Sequence, residues 1–248
     1  MNDAVEYLRF LQNIGVDVIP SALAGELKNA LTVSTPAESP PAEGTIMNVV
    51  ARFSEMAADV AGCERCGLGK SRNMAVFGAG NPDTDLMFIG EGPGYDEDQQ
   101  GIPFVGKAGQ LLTKIINAIE LDREDVYITN IVKCRPPGNR DPLPEEAGAC
   151  HPYLSEQIRL IQPKIICTLG RHASQVILNT TESISRLRGR FHSINGIMIM
   201  PTYHPAYLLR NASGKRPVWE DMQKIRDYLK ENSDMYQRSQ YGRDTGSS

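Results

Sequence analysis

An α/β fold built on a parallel sheet is what this chain predicts, and three observations carry that reading. Four short apolar runs, Leu86–Ile89, Val126–Val132, Lys164–Leu169 and Ile197–Met200, are too brief for helices, and several are rich in Ile and Val, the pattern of strands buried on both faces. Helical stretches separate them, and a strand, helix, strand order implies right-handed crossovers that cover both faces of the sheet. With 248 residues, 41% hydrophobic and 23% charged, the chain can bury one full core and still carry appendages.

Taken in order, residues 1–31 open with Val5, Leu8, Leu11 and Ile14 at roughly helical spacing. This N-terminal segment is expected to pack on its own domain, with docking to a partner as the second reading. Residues 32–46 form a linker, rich in Ser, Thr, Pro, Ala and Glu from Thr32 to Gly44. Residues 47–230 hold the main domain. After its first strand, Lys107 to Ile119 places Ala108, Leu111, Leu112, Ile115 and Ile119 at three- and four-residue steps, one apolar helical stripe. Further helices are expected at Pro144–Ile161, Arg171–Leu178 and Pro217–Leu229, between and after the remaining strands. Residues 231–248 are polar and end in Gly-Ser-Ser, so they read as a frayed tail.

No apolar stretch approaches a membrane span and no signal-peptide pattern opens the chain, which places it in the cytoplasm. The net charge of -4 disfavours a nucleic-acid partner, but its distribution does not. Arg186, Arg188, Arg190, Arg210, Lys215 and Arg216 fall in a stretch with no acidic residue, and Lys133, Arg135 and Arg140 flank Cys134. A solvated basic face is the plain alternative.

The cysteines carry the most chemistry. Cys63 and Cys66 form a C-x-x-C pair, and fifteen residues separate Cys134 from Cys150. Reduced thiolates are soft ligands able to share one metal centre, whereas an odd cysteine count without a secretion signal argues against disulfides. The spacing fits neither the common ferredoxin runs nor a zinc ribbon, so by itself it leaves both zinc and a [4Fe-4S] cluster open. Cys167, inside an apolar run, reads as a small core residue.

Ligands of parallel sheets bind at the carboxyl ends of the strands, and polar motifs cluster there in this sequence. Gly90-Glu91-Gly92-Pro93-Gly94 follows the first strand, with Asp96, Glu97 and Asp98 behind it. This loop lacks the Lys-Ser/Thr of a phosphate loop and the dinucleotide spacing, and the acids would repel phosphate. Asn130 lies late in the second strand, and His204 follows the fourth, where it could titrate or donate to a ligand.

Jointly, Gly90-Glu91-Gly92-Pro93-Gly94, Pro103-Phe104-Val105-Gly106-Lys107-Ala108-Gly109, Thr129-Asn130-Ile131-Val132-Lys133-Cys134-Arg135-Pro136-Pro137 and His204-Pro205-Ala206-Tyr207-Leu208 resemble the family 4 uracil-DNA glycosylases, the iron-sulfur branch of their superfamily. The resemblance spans about residues 47 to 230 and includes the four cysteines outside the core. It implies a three-layer α/β/α sandwich around a four-stranded parallel sheet, and a [4Fe-4S] cluster rather than zinc on Cys63, Cys66, Cys134 and Cys150. It also implies a reaction: hydrolysis of the N-glycosidic bond of a deoxyuridine flipped out of DNA, leaving an abasic site.

In that reading Gly90 and Gly92 shape the pocket, Phe104 stacks on the ring, and Asn130 reads uracil N3–H and O4. His204 donates to O2 of the departing base. Glu91 is the candidate water-activating group; the aspartate of the best-known branch is replaced here by Gly92. The tyrosine that excludes thymine there is Gly94 here, so Glu97 is expected to supply the steric block. Arg188, Arg190, Arg210 and Lys215 would hold phosphates, and Leu208 or Leu209 would fill the gap left by the base. The partner is uracil-containing DNA, no membrane is involved, and the protein is expected to act as a monomer. A non-catalytic uracil- or abasic-DNA-binding module of the same fold is the alternative.

Overall fold

A computed structural model describes residues 45–244, so residues 1–31 and nearly all of the linker lie outside the described residues. Strands β1 (Ala79–Gly80), β2 (Leu86–Gly90), β3 (Tyr127–Asn130), β4 (Ile165–Leu169), β5 (His192–Ile194) and β6 (Ile197–Thr202) form one sheet in the order β1-β3-β2-β4-β6-β5. The four inner strands are parallel, as the apolar runs require. The expected four-stranded sheet is extended by two short antiparallel edges, β1 on β3 and β5 on β6. Neither edge carries an apolar run. β5 is half-exposed His-Ser-Ile, joined to β6 by Asn195-Gly196, whose φ values of 50° and 81° are those of a hairpin turn.

Side chains alternate across the inner strands and build two cores. Leu86, Phe88, Ile165, Cys167 and Met200 face one side, where α3 (Lys107–Ala118) and α8 (Lys215–Asn232) cover them with Leu112, Ile116, Met222 and Ile225. Met87, Ile89, Ile166 and Ile199 face the other, under Leu154 of α4 (Pro144–Ile161) and Ala173 and Ile177 of α5 (Arg171–Leu178). Helix α1 (Thr45–Ala61) packs outside α4. The result is the expected three-layer sandwich, with Cys167 fully buried as a core residue.

The C-terminal stretch departs from the frayed tail read from its composition. Residues Asp234–Asp244 form a helix, α9, because Tyr236 is buried and its hydroxyl donates to Ile119 O at 3.1 Å and Glu120 at 2.9 Å. Ser233 starts it, accepting from the Tyr236 N–H at 2.9 Å while donating to Asp85 at 2.6 Å. One buried tyrosine and one cap outweigh the polar average.

Candidate active site and thiolate cavity

The registers bring the polar residues to one edge. Gly90, the last residue of β2, pairs directly with Asn130, the last residue of β3. A Cβ on Gly90 would overlap both Asn130 Oδ1 and the tip of the Phe104 ring, so the missing side chain is what lets amide and aromatic face meet. Asn130 is 1% exposed, and its Oδ1 is the only buried side-chain N or O atom among the described residues without a hydrogen-bond partner. Buried polar atoms rarely stay unpaired, and an orphaned acceptor in a pocket marks the place of a donor the protein lacks.

Phe104 reaches this point by a strained turn. Its φ is 52°, a left-handed conformation that costs a bulky residue about 1–2 kcal/mol. The loop is clamped on both sides. Arg123 donates to Phe104 O at 3.0 Å and to Pro103 O, while Glu97 accepts the N–H groups of Val105 and Gly106 at 2.9 Å each and of Gly94 at 3.1 Å. The Glu97 carboxylate, expected from sequence to supply the steric block against thymine, is held by three backbone amides of this loop. A Cβ at position 94 would lie 2.7 Å from the same carboxylate, and one at Gly92 would lie 2.8 Å from Val132 Cγ2. Larger residues at either glycine would have to displace these neighbours.

His204 follows β6 and caps α7 (Pro205–Arg210), with Nδ1 accepting the Ala206 N–H at 3.1 Å. That bond leaves the ring proton on Nε2. Burial pushes the imidazole down to about 4, against a raising influence of Glu97 and with help from Arg210, so the ring is a neutral donor at pH 7. Its centroid lies 5.7 Å from that of Phe104. Gly170, at φ 91°, lets the turn after β4 pass beside it, where a Cβ would be 3.0 Å from His204 Cβ.

Glu91 sits at the same edge with an unforeseen partner: His172 Nδ1 lies 2.7 Å from its Oε2. The sequence pattern predicts a helix over Arg171–Leu178 and gives His172 no role. The available signal was position, since His172 falls in the first turn after a strand's carboxyl end.

The proposed DNA contacts divide. Arg190, Arg210 and Lys215 are exposed. Arg188 is not free: it donates to the fully buried Asp221 at 2.7 and 3.1 Å and lies over the Tyr203 ring, so it braces α8 instead. Leu208 is 3% exposed and belongs to the core, whereas Leu209 is 51% exposed and points outward. Of the two leucines, Leu209 is the one free to enter a DNA helix.

Away from the pocket, Cys63, Cys66, Cys134 and Cys150 line a single small cavity with Lys133 and Tyr153. Among the described residues the one group of three ligand atoms within 4.8 Å of one another is Glu91, Asp141 and His172, so no three of these thiols come that close. The surroundings suit an anion. Arg72 donates to Cys134 Sγ at 2.9 Å and the Lys133 N–H to Cys150 Sγ at 3.2 Å. The Lys133 ammonium is buried on Thr129, Asn130 O and Gln157, with no carboxylate against it among the described residues, and burial lowers it to about 8.

The sequence matches the model of the uracil DNA glycosylase superfamily over residues 77–226. The chain belongs to that superfamily. A type-4 uracil-DNA glycosylase of Saccharolobus solfataricus is 49% identical over 183 residues, 70% of this chain and 85% of that protein. One of Thermotoga maritima is 46% identical over 172 residues, 68% of this chain and 90% of that protein. A type-5 uracil-DNA glycosylase of Pyrobaculum aerophilum is 30% identical over 148 residues, 52% and 64% of the two chains. Membership of the type-4 branch, expected from the motifs, agrees with this ranking.

Proposed function

We propose that this protein is a uracil-DNA glycosylase that flips deoxyuridine out of DNA and hydrolyses its N-glycosidic bond, leaving free uracil and an abasic site. The observation that carries this reading is the orphaned Asn130 Oδ1, buried at the strand edge that also holds an aromatic ring and a neutral histidine. Uracil supplies the missing donor at N3–H. The Asn130 amide NH2 then meets O4, and cytosine, with the opposite pair at those positions, is refused. Phe104 stacks on the ring. As the bond breaks, negative charge gathers on uracil, and the His204 Nε2–H donates to O2 and holds it. Glu91, half-exposed at the pocket edge, orients the water that takes the sugar carbon.

A single-turnover assay on a uracil-containing oligonucleotide tests this. Release of free uracil is expected, and tight binding without release would identify the non-catalytic module of the same fold. The related reading of the exposed cations is tested by salt. Each of Arg190→Ala, Arg210→Ala and Lys215→Ala should flatten the slope of log K against log salt by about 0.9 if it removes one phosphate contact. Arg188→Ala should leave the slope alone and destabilise the fold by about 3 kcal/mol, because the buried Asp221 loses its guanidinium and keeps only the Thr202 hydroxyl as a hydrogen-bond donor.

We further propose that Cys63, Cys66, Cys134 and Cys150 hold a [4Fe-4S] cluster of structural role, since base excision transfers no electrons. The cluster would tie the segment that follows α1 and the loop after β3 to α4. The purified protein should absorb in the visible and contain about four irons per chain. Cys150→Ser should lose both and melt at lower temperature; a colourless protein carrying one zinc would refute the assignment. No helix among the described residues is long and apolar enough to cross a membrane. The proposed setting is the cytoplasm, where thiolates stay reduced, with a monomer acting on uracil-containing DNA and residues 1–31 available to a repair partner.

A further inference from the structure

We infer that His172 is a positioning residue for Glu91, fixing the carboxylate that orients the attacking water. The inference rests on the reading of Glu91 given above. Glu91 lies in the glycine-rich loop after β2, and its backbone is pinned by the Val132 N–H, which donates to Glu91 O at 3.1 Å. Its side chain is long and would otherwise sample several rotamers. The 2.7 Å contact from His172 Nδ1 to Glu91 Oε2 selects one.

His172 is itself held. It sits in the first turn of α5, immediately after Gly170 and Arg171, so its backbone is set by a turn that also touches His204. Its far nitrogen, Nε2, lies 3.4 Å from Asp141 Oδ2 and 3.5 Å from Arg171 Nη2, and Arg171 pairs with Asp141 at 3.0 Å. With the ring proton on Nδ1, the imidazole donates to Glu91 while Nε2 accepts from Arg171. The second carboxyl oxygen of Glu91 stays available, and the pair is only partly covered, with side-chain exposures of 30% for Glu91 and 23% for His172, so water reaches it. Glu91, His172 and Asp141 also place three ligand atoms within 4.8 Å of one another, but Arg171 puts a fixed positive charge on Asp141, which speaks against a divalent cation between them. The turn after β4 thus carries the orienter of the water, His172, and lies against the donor to the base, His204.

Four variants of the full-length protein test this by single-turnover excision in metal-free buffer, alongside DNA affinity and thermal melting. His172→Ala should slow excision about tenfold, with DNA affinity within about twofold, since only the orientation of a reacting group is lost. His172→Asn can place an amide N–H where Nδ1–H stood and should recover to within about threefold of the parent. Glu91→Gln should be at least as slow as His172→Ala, and Glu91→Gln with His172→Ala should be no slower than Glu91→Gln alone, because the two act as one unit. A His172→Ala rate equal to the parent while Glu91→Gln is slow would overturn the inference and leave Glu91 in place. So would His172→Asn no faster than His172→Ala, or a metal-free rate restored by added Mn²⁺. A Glu91→Gln rate equal to the parent would instead remove the reading of Glu91 itself.

Discussion

Asn130→Ala is expected to cut kcat/KM for uracil excision about a thousandfold while leaving the protein about as stable as its parent. In the pocket, N3–H and O4 of a flipped uracil lose their partners together. Each polar group stranded in a dry site costs about 2 kcal/mol, and about 4 kcal/mol in all is about three powers of ten in rate. Stability should hold. Asn130 Oδ1 accepts no hydrogen bond from the protein, so its removal breaks no bond of the fold. The backbone carbonyl of Asn130, which accepts from Lys133 at 2.8 Å, survives the change, so the neighbouring thiolate cavity should keep its shape. Steady-state kinetics with a thermal melt and an iron assay on the same preparation check all three points. A loss of activity that merely tracks a loss of folded protein would sink the assignment.

That this residue could be singled out from sequence, and others could not, has a physical basis. A parallel sheet sends the ends of its apolar runs to one edge, which places Asn130 and His204 there, whereas Phe104 and the roles of all three are legible only through the motifs shared with the family 4 glycosylases. The four cysteines were legible for a similar reason, because thiolates outside a core have few other uses. What escaped was decided by partners distant in sequence. Arg188 looked like a phosphate contact until Asp221, thirty-three residues on, was found buried beneath it. The bonds that hold Glu97 are invisible in sequence because the backbone amides that donate to it leave no mark in composition. His172 lies eighty-one residues from Glu91, in a helix whose periodicity says nothing about its first turn. Tyr236 and Ser233 turned a polar tail into a packed helix by the same kind of long-range contact.

His204→Ala is expected to slow excision about 10²–10³-fold, the usual cost of removing one preorganised donor to a developing anion. The pH dependence separates this from simple loss of packing. In the parent the ring is neutral from pH 8 down to about 5, since its folded value is near 4, so its donor role should give a flat profile there and an acid limb only below. On that limb the added proton must go to Nδ1, which then can no longer accept the Ala206 N–H that seats the ring. Stability follows the same proton. A histidine whose folded value lies below its unfolded 6.5 binds fewer protons when folded, so its contribution is fully present above pH 6.5 and is lost as pH falls toward about 4. His151, lowered to about 3 by burial and by Lys133, adds a loss of the same sign that extends further into acid. Melting temperatures of His204→Ala and the parent should therefore converge between pH 7 and pH 4.5, as the variant escapes one of the two penalties. Parallel melting curves across that range, or an alanine variant with the parental rate at pH 7, would show that the histidine neither carries this donor role nor is buried as a neutral ring.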